Sequence, residues 1–299
     1  MDTVEVLLST YNGERFLREQ LDSIINQKGI YVKISIRDDG SKDNTISIIK
    51  DYIEKYKDSI NFIEDNFGNI GVIKSYEKLL INSKEKYLAF SDQDDIWLPD
   101  KLVKSLEVLK EIENRGSMPV LVYSDLKIVD QNLNTIANSF FKMMKINAER
   151  GMDFKSLVVQ NAVVGCTTLF NKKLKEYSLP FPSQCIMHDW WLALCANYYG
   201  KAAYVPQQLI LYRQHQNNVI GAKAPIEIFK NRWKRKTNTF DSIKQAVALY
   251  SMSPGNEYLC NFLKAIKDKT KLGLKIHFLI FKVMKSTFLR NLYFYIFEW

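Results

Sequence analysis

Two hydrophobic periods alternate along the first 130 residues. Residues 4–9 form a short apolar run, and residues 14–26 carry Phe16, Leu17, Leu21, Ile24 and Ile25 at helical spacing. Residues 31–37 then alternate through Val32, Ile34 and Ile36, the period of a strand. The same alternation predicts helices over 45–56, 72–81 and 101–113, with strands over 60–63, 87–90 and 120–123. Repeated strand–helix units with short connections imply an α/β fold, a mostly parallel sheet flanked by helices on both faces. In such a sheet the chemistry gathers beyond the carboxyl ends of the strands.

The polar residues that break the pattern collect at those ends. The first strand runs into Ser9-Thr10-Tyr11-Asn12-Gly13-Glu14, the second into Arg37-Asp38-Asp39-Gly40-Ser41-Lys42-Asp43, and the fourth into Ser91-Asp92-Gln93-Asp94-Asp95. Asp, Ser and Gly are also what turns and helix caps select, so the second turn alone suits a fold or a ligand equally. The third differs in kind. Asp92, Asp94 and Asp95 place three carboxylates in four residues behind an apolar strand, where repulsion and desolvation oppose their charge. A hard divalent cation resolves that conflict with oxygen ligands. A solvated acidic turn capping the helix after Trp97-Leu98-Pro99 is the plainer use. No glycine-rich phosphate loop competes, because neither G-x-G-x-x-G nor G-x-x-x-x-G-K-[ST] occurs.

Composition changes the picture chiefly through charge. The 299 residues are 46% hydrophobic and 25% charged, which excludes disordered, collagenous and disulfide-scaffold proteins. The net charge of +9 is unevenly placed: 14 of the 42 basic and 5 of the 33 acidic residues lie from Pro225 on, so the first 224 residues balance at 28 of each. The tail alone is the candidate for an acidic surface. Cys166, Cys185, Cys195 and Cys260 show no C-x-x-C spacing and read as reduced thiols. No stretch reaches the roughly 18 uncharged apolar residues of a membrane span, and the opening Met1-Asp2-Thr3 carries no basic leader. The expectation is a cytoplasmic protein.

Ser9-Thr10-Tyr11-Asn12, the Asp38-Asp39-Gly40-Ser41 turn, residues 66–71 ahead of a helix, and Asp92-Gln93-Asp94-Asp95-Ile96-Trp97, in that order, resemble the family 2 glycosyltransferases of the Rossmann-like GT-A fold. The resemblance implies that Thr10, Tyr11, Asn12, Glu14 and Asp39 surround the base and ribose of a nucleotide sugar. It puts Asp92 on the ribose or sugar and Asp94 on a divalent metal, Mg²⁺ or Mn²⁺, bridging the donor diphosphate, with Asp95 beside them. His188-Asp189-Trp190-Trp191-Leu192 falls where the family carries the base that deprotonates the acceptor, which makes Asp189 the catalytic candidate. Taken alone, Asp189 is better read as a cap for the helix that follows, since caps are commoner than bases. Tyr212-Arg213-Gln214-His215, after a strand over 209–212, resembles the segment whose His completes the metal shell; Arg213 then suits the diphosphate. Asn161, Gly165, His188 and Trp190 are candidate donor or acceptor contacts, and Asp125 is one on position alone. Cys166 is given no nucleophilic role.

The resemblance covers residues 3–221 and is nearest to bacterial rhamnosyltransferases of cell-wall and capsular polysaccharide synthesis. It implies dTDP-β-L-rhamnose as donor, a lipid-linked saccharide as acceptor, and one inverting displacement. A UDP-hexose or UDP-N-acetylhexosamine donor is the alternative. The expected organisation is a catalytic domain over 1–221, its nucleotide-sugar half about 1–130 and its acceptor half about 131–221, then a basic helical extension over 222–299. Basic clusters at 230–236 and 264–275 and the aromatic stretch 272–299 suit an interfacial helix on anionic lipid at the inner face of the cell membrane. Packing on the catalytic body or a homodimer contact is the competing use. Binding of nucleic acid by the tail would leave the acidic turns without a purpose, and no nucleic-acid motif is present.

Overall fold

The computed structural model describes residues 1–215, 239–252 and 257–267. Three strand–helix units open the chain: β1 (Thr3–Thr10) and α1 (Leu17–Ile25), β2 (Tyr31–Asp38) and α2 (Thr45–Lys55), β3 (Ile60–Phe62) and α3 (Val72–Asn82). They are followed by β4 (Tyr87–Ser91), the two-residue β5 (Ile96–Trp97) and α4 (Lys101–Glu113). The second half contains β6 (Val120–Val129), β7 (Thr135–Ala137), α5 (Phe140–Met144), α6 (Phe154–Val159), β8 (Leu169–Asn171), α7 (Lys172–Ser178), α8 (His188–Tyr199) and β9 (Lys201–Arg213). Helices α9 (Thr239–Met252) and α10 (Glu257–Lys267) close the described chain.

The sheet runs β3-β2-β1-β4-β8-β6-β9-β5, with β7 paired to β6. The α/β expectation is met: β3, β2, β1 and β4 are parallel, as are β6 and β9, while β8, β5 and β7 enter antiparallel. Strand alternation sorts the side chains into two cores. Leu7, Leu88, Phe90, Leu121 and Tyr123 face α3, α6 and α8, whereas Val4, Val6, Leu8, Ala89, Val120 and Val122 face α1, α2 and α4. Both faces are dry, as a parallel sheet requires. The chain leaves β1 toward β2 on one side and returns to pair β4 on the other, which opens a crevice at the ends of β1 and β4.

Two strands exceed their expected bounds. The reading over 120–123 stopped at Ser124 and Asp125, yet β6 continues to Val129 because β9 pairs along it. The reading over 209–212 missed the start of β9, where Pro206 interrupts the pattern. Pro206 and Gln207 sit in a bulge, since the register steps from Ser124 opposite Val205 to Asp125 opposite Gln208; proline lacks the N–H that a ladder needs.

The described part of the extension packs on the body. Ile243, Ala246 and Leu249 of α9 and Leu263 of α10 join the core that α6 and α8 share. The Tyr198 hydroxyl lies 2.7 Å from Cys260 Sγ. All four cysteines are free. The basic cluster at 230–236, the aromatic stretch 272–299 and the boundary at 221 lie outside the described residues. No helix among the described residues is long and apolar enough to cross a membrane.

Candidate active site

Three turns meet at the crevice. The turn after β1 is tied to the turn after β2 at every step: Thr10 Oγ1 donates to Asp38 Oδ2 (2.8 Å), the Asp39 N–H to Thr10 O (2.8 Å), the Asn12 N–H to Ser41 Oγ (2.8 Å) and the Lys42 N–H to Asn12 Oδ1 (2.8 Å). Glu14 Oε2 accepts from the Asn44 backbone at 2.9 Å. Asn12 is left-handed, φ 49, a conformation that Asn tolerates better than most residues. Gln93 bridges to the third turn, accepting from the Tyr11 N–H and donating to Tyr11 O at 2.8 and 3.0 Å. The Tyr11 ring is left 46% exposed at the mouth.

Asp39 lies deeper. Its Oδ1 accepts from Arg37 (2.7 Å) and the Ile70 N–H (2.9 Å), and its Oδ2 from the Gly71 N–H (3.0 Å). The buried Arg37 also holds Asp65 (2.8 Å) and Gly68 O (3.0 Å), so one guanidinium fixes the loop at 65–71 against the second turn.

The third turn is short of partners. Asp92 Oδ1 receives the Tyr76 hydroxyl at 3.3 Å; burial first, then the charges of Asp94 and Asp189, push its carboxyl up to about 7. Asp95 is fully buried. Its Oδ1 accepts from the Arg213 N–H at 3.1 Å and its Oδ2 has no partner. Burial also holds Asp95 well above the usual carboxylate range. Asp94 Oδ2 meets His215 Nε2 at 2.8 Å.

A carboxylate oxygen and an imidazole nitrogen converging on a turn with an unpartnered buried carboxylate oxygen fit Mg²⁺ or Mn²⁺. Ligand atoms of Asp92, Asp95 and Cys166 also lie within 4.8 Å of one another. Burial, with the nearby charges of Asp95 and Asp92, keeps the Cys166 thiol well above its ordinary range. A thiol is a poor ligand for a hard cation. The Asp94–His215 pair is therefore the better fit.

Arg213 does not face the crevice as the resemblance implied. It is 2% exposed, and its guanidinium donates to Asp94 O (2.9 Å), Gln131 O (2.8 Å) and Glu19 Oε2 (2.6 Å) while stacking 4.5 Å from the Phe16 ring. Its donors fix the backbone of the acidic turn. Asp125 is likewise turned inward: Oδ1 accepts from the Leu126 and Phe140 N–H groups and Oδ2 from Gln208.

Asp189 stands across the crevice in the first turn of α8, close enough for its charge to reach Asp92. Its Oδ1 accepts from the Trp190 N–H (2.6 Å) and Asn161 (3.3 Å), its Oδ2 from the Gly165 N–H (3.0 Å). Burial outweighs these donors and pushes the carboxyl up to about 6. A Cβ at Gly165 would crowd this approach, standing 3.1 Å from His188 Nε2. His188 itself is buried, stacked on Tyr76 with centroids 3.8 Å apart, and burial holds it down to about 3. Trp190 donates its indole N–H to Leu157 O at 2.7 Å. Both side chains are built into the wall. The sequence carried no signal for Gln93, Arg37 or Tyr76 as the struts of this site, since each reads as an ordinary turn or helix residue.

Solved structures place the fold among glycosyltransferases. S. aureus TarS in complex with UDP-GlcNAc is similar with a TM-score of 0.60 at 14% identity, over 92% of this chain and 76% of that one. The mannosyltransferase PcManGT from Pyrobaculum calidifontis, in complex with GDP-Man and Mn²⁺, gives 0.54 at 16%, over 91% and 77%. The family model described as glycosyl transferase family 2 matches residues 5–178, and the chain belongs to that family. The dTDP-rhamnosyl transferase RfbG of Shigella flexneri is 28% identical over 93% of this chain and 99% of its own length. The putative teichuronic acid biosynthesis glycosyltransferase TuaG of Bacillus subtilis is 25% identical over 83% and 90%.

Proposed function

We propose that this glycosyltransferase moves L-rhamnose from dTDP-β-L-rhamnose to a lipid-linked saccharide acceptor in bacterial surface-polysaccharide synthesis, in one inverting displacement with Asp189 as base. The reading is carried by a buried carboxylate held by the Gly165 N–H at 3.0 Å and Asn161 at 3.3 Å and set across one crevice from the acidic turn, where burial pushes it up to about 6. The rhamnose donor is supported by the likeness to RfbG over nearly the whole of both chains.

Tyr11, exposed at the mouth, offers a face to the base, and Asp39 offers the remaining lone pair of Oδ2. Asp92 faces the ribose or sugar. Asp94 and His215 would hold a divalent cation, which would supply neutralising charge to the diphosphate leaving group. Arg213 keeps the Asp94 backbone in place instead of touching phosphate. Asp189, anchored through Gly165, Asn161 and the Trp190 N–H, accepts the proton of the acceptor hydroxyl as it attacks the anomeric carbon from the far face. No covalent enzyme intermediate is needed, and a β-linked donor yields an α-linked product.

The test is nucleoside-diphosphate release from dTDP-rhamnose, UDP-glucose, UDP-galactose and UDP-N-acetylglucosamine, with and without Mn²⁺, in the presence of a rhamnosylated lipid-like acceptor. Release from dTDP-rhamnose alone supports the reading; release from a UDP-sugar alone removes the donor and keeps the chemistry. The charge excess from Pro225 on supports a peripheral seat on anionic lipid. Sedimentation with phosphatidylglycerol vesicles that persists in the full chain when the lysines and arginines of residues 230–236 and 264–275 are changed to glutamine would refute that seat.

A further inference from the structure

Beneath the acidic turn lies a group that the proposed mechanism does not use. Lys101 is the first residue of α4 and is 0% exposed. A cation at a helix N-terminus opposes the helix dipole, and a buried one loses its hydration, so neither the helix nor the core accounts for it. Its ammonium nitrogen lies 3.6 Å from the centre of the Trp97 ring and has no hydrogen-bond partner. Asp95 and Cys166 are the groups whose charge reaches it, and burial holds it down to about 7.

Four buried polar atoms in this region stand without partners: Asp95 Oδ2, Trp97 Nε1, Lys101 Nζ and Ser105 Oγ. They are chemically complementary. One is an acceptor, two are donors, and the Ser105 hydroxyl, one helical turn beyond Lys101, is both. Leaving them unmade is costly, whereas ordered water joining them satisfies all four. An aspartate and a lysine are together neutral whichever of them holds the shared proton, so the pair adds no net charge beneath the turn. The other oxygen of Asp95 receives the Arg213 N–H, and the Arg213 side chain holds Asp94 O. A displacement of Asp95 is thus passed to the backbone of Asp94.

We propose that Lys101 is a positioning residue for the metal-binding turn, forming with Asp95 a buried, water-bridged pair that sets the place of Asp94. The inference rests on the reading of Asp94 and His215 as the metal site. Loss of either partner leaves the other orphaned and lets the turn drift; loss of both removes the conflict.

Two experiments test it on the full chain. A crystal structure should show ordered water within hydrogen-bond distance of both Lys101 Nζ and Asp95 Oδ2; a dry pocket, or a Lys101 turned out to solvent, overturns the pair. Mn²⁺ titration followed by electron paramagnetic resonance, with urea unfolding alongside, should then compare Lys101→Met, Asp95→Asn and the double variant. Each single change should weaken Mn²⁺ binding roughly tenfold or more, and the double variant should lose much less than the product of the two. Additive losses, or unaltered Mn²⁺ affinity in a folded Lys101→Met chain, contradict it. If Lys101→Met fails to fold, rescue by Asp95→Asn supports the pair and lack of rescue overturns it. Should the unaltered protein bind no Mn²⁺, the metal reading falls, and the pair is decided by the pocket water and by non-additivity in the urea midpoints.

Discussion

The turns after β2 and β4 flank the same strand, β1, and are held in opposite ways. Around Asp38 and Asp39 every carboxylate oxygen has a donor: Gly40, Ser41 and Thr10 serve the first, Arg37, Ile70 and Gly71 the second. Around Asp92 and Asp95 the donors run short, one buried oxygen has none, and burial pushes both carboxyls up. The first turn is complete within itself. The second holds unmet demand for positive charge, and its own lysine lies beneath it without touching it. On the function proposed above, the difference separates a surface that recognises the donor from one that manages its charge.

The largest expected effect falls on the wall opposite. Asp189→Asn preserves the size of the side chain and removes the base, so turnover should fall by about 10²–10⁴ while donor affinity holds. Since the carboxylate is the active form, kcat/KM of the unaltered enzyme should decline as pH drops through about 6, and a pH-rate profile checks this. Next in size is His215→Ala, which leaves Asp94 without its neighbour; metal affinity should fall by roughly 10–100-fold and excess Mn²⁺ should restore part of the turnover. Chelation should mimic it in the unaltered protein. The smallest effect belongs to the finished turn. Asp39→Asn weakens the bond to buried Arg37, which keeps Asp65, so stability should drop by about 1–3 kcal/mol, seen as a lower urea midpoint at unchanged slope. Metal affinity should hold in that variant, and a loss equal to that of His215→Ala would erase the contrast between the turns.

Much of this was legible in the sequence because the hydrophobic pattern and the polar turns agreed. Residues 4–9 form an apolar run and residues 31–37 alternate, so the strands and the turns at their ends could be located together. Strand β6 was cut short because Asp125 and Lys127 look like a loop; they lie in a strand because β9 pairs beside them and Gln208 satisfies Asp125. Strand β5 was hidden within the acidic motif itself. Arg213 reads as a phosphate ligand in one dimension, and only the positions of Glu19, Gln131 and Asp94 show its donors committed. His188 and Trp190 flank the base candidate and share its motif, yet α8 is buried on all sides, so helical geometry turns them into the core. Lysine at the start of a helix ordinarily reads as solvated. Lys101 is buried over the Trp97 ring of its own segment, within reach of Asp95 and of Cys166, which arrives from a distant part of the chain.

A single displacement with Asp189 as base inverts the anomeric carbon, and the configuration of the first product reads this out. Nuclear magnetic resonance of the saccharide formed from dTDP-β-L-rhamnose should show an α-linked rhamnose. A β-linked product would mean two displacements or a different attacking face, and Asp189 could not then be the sole base.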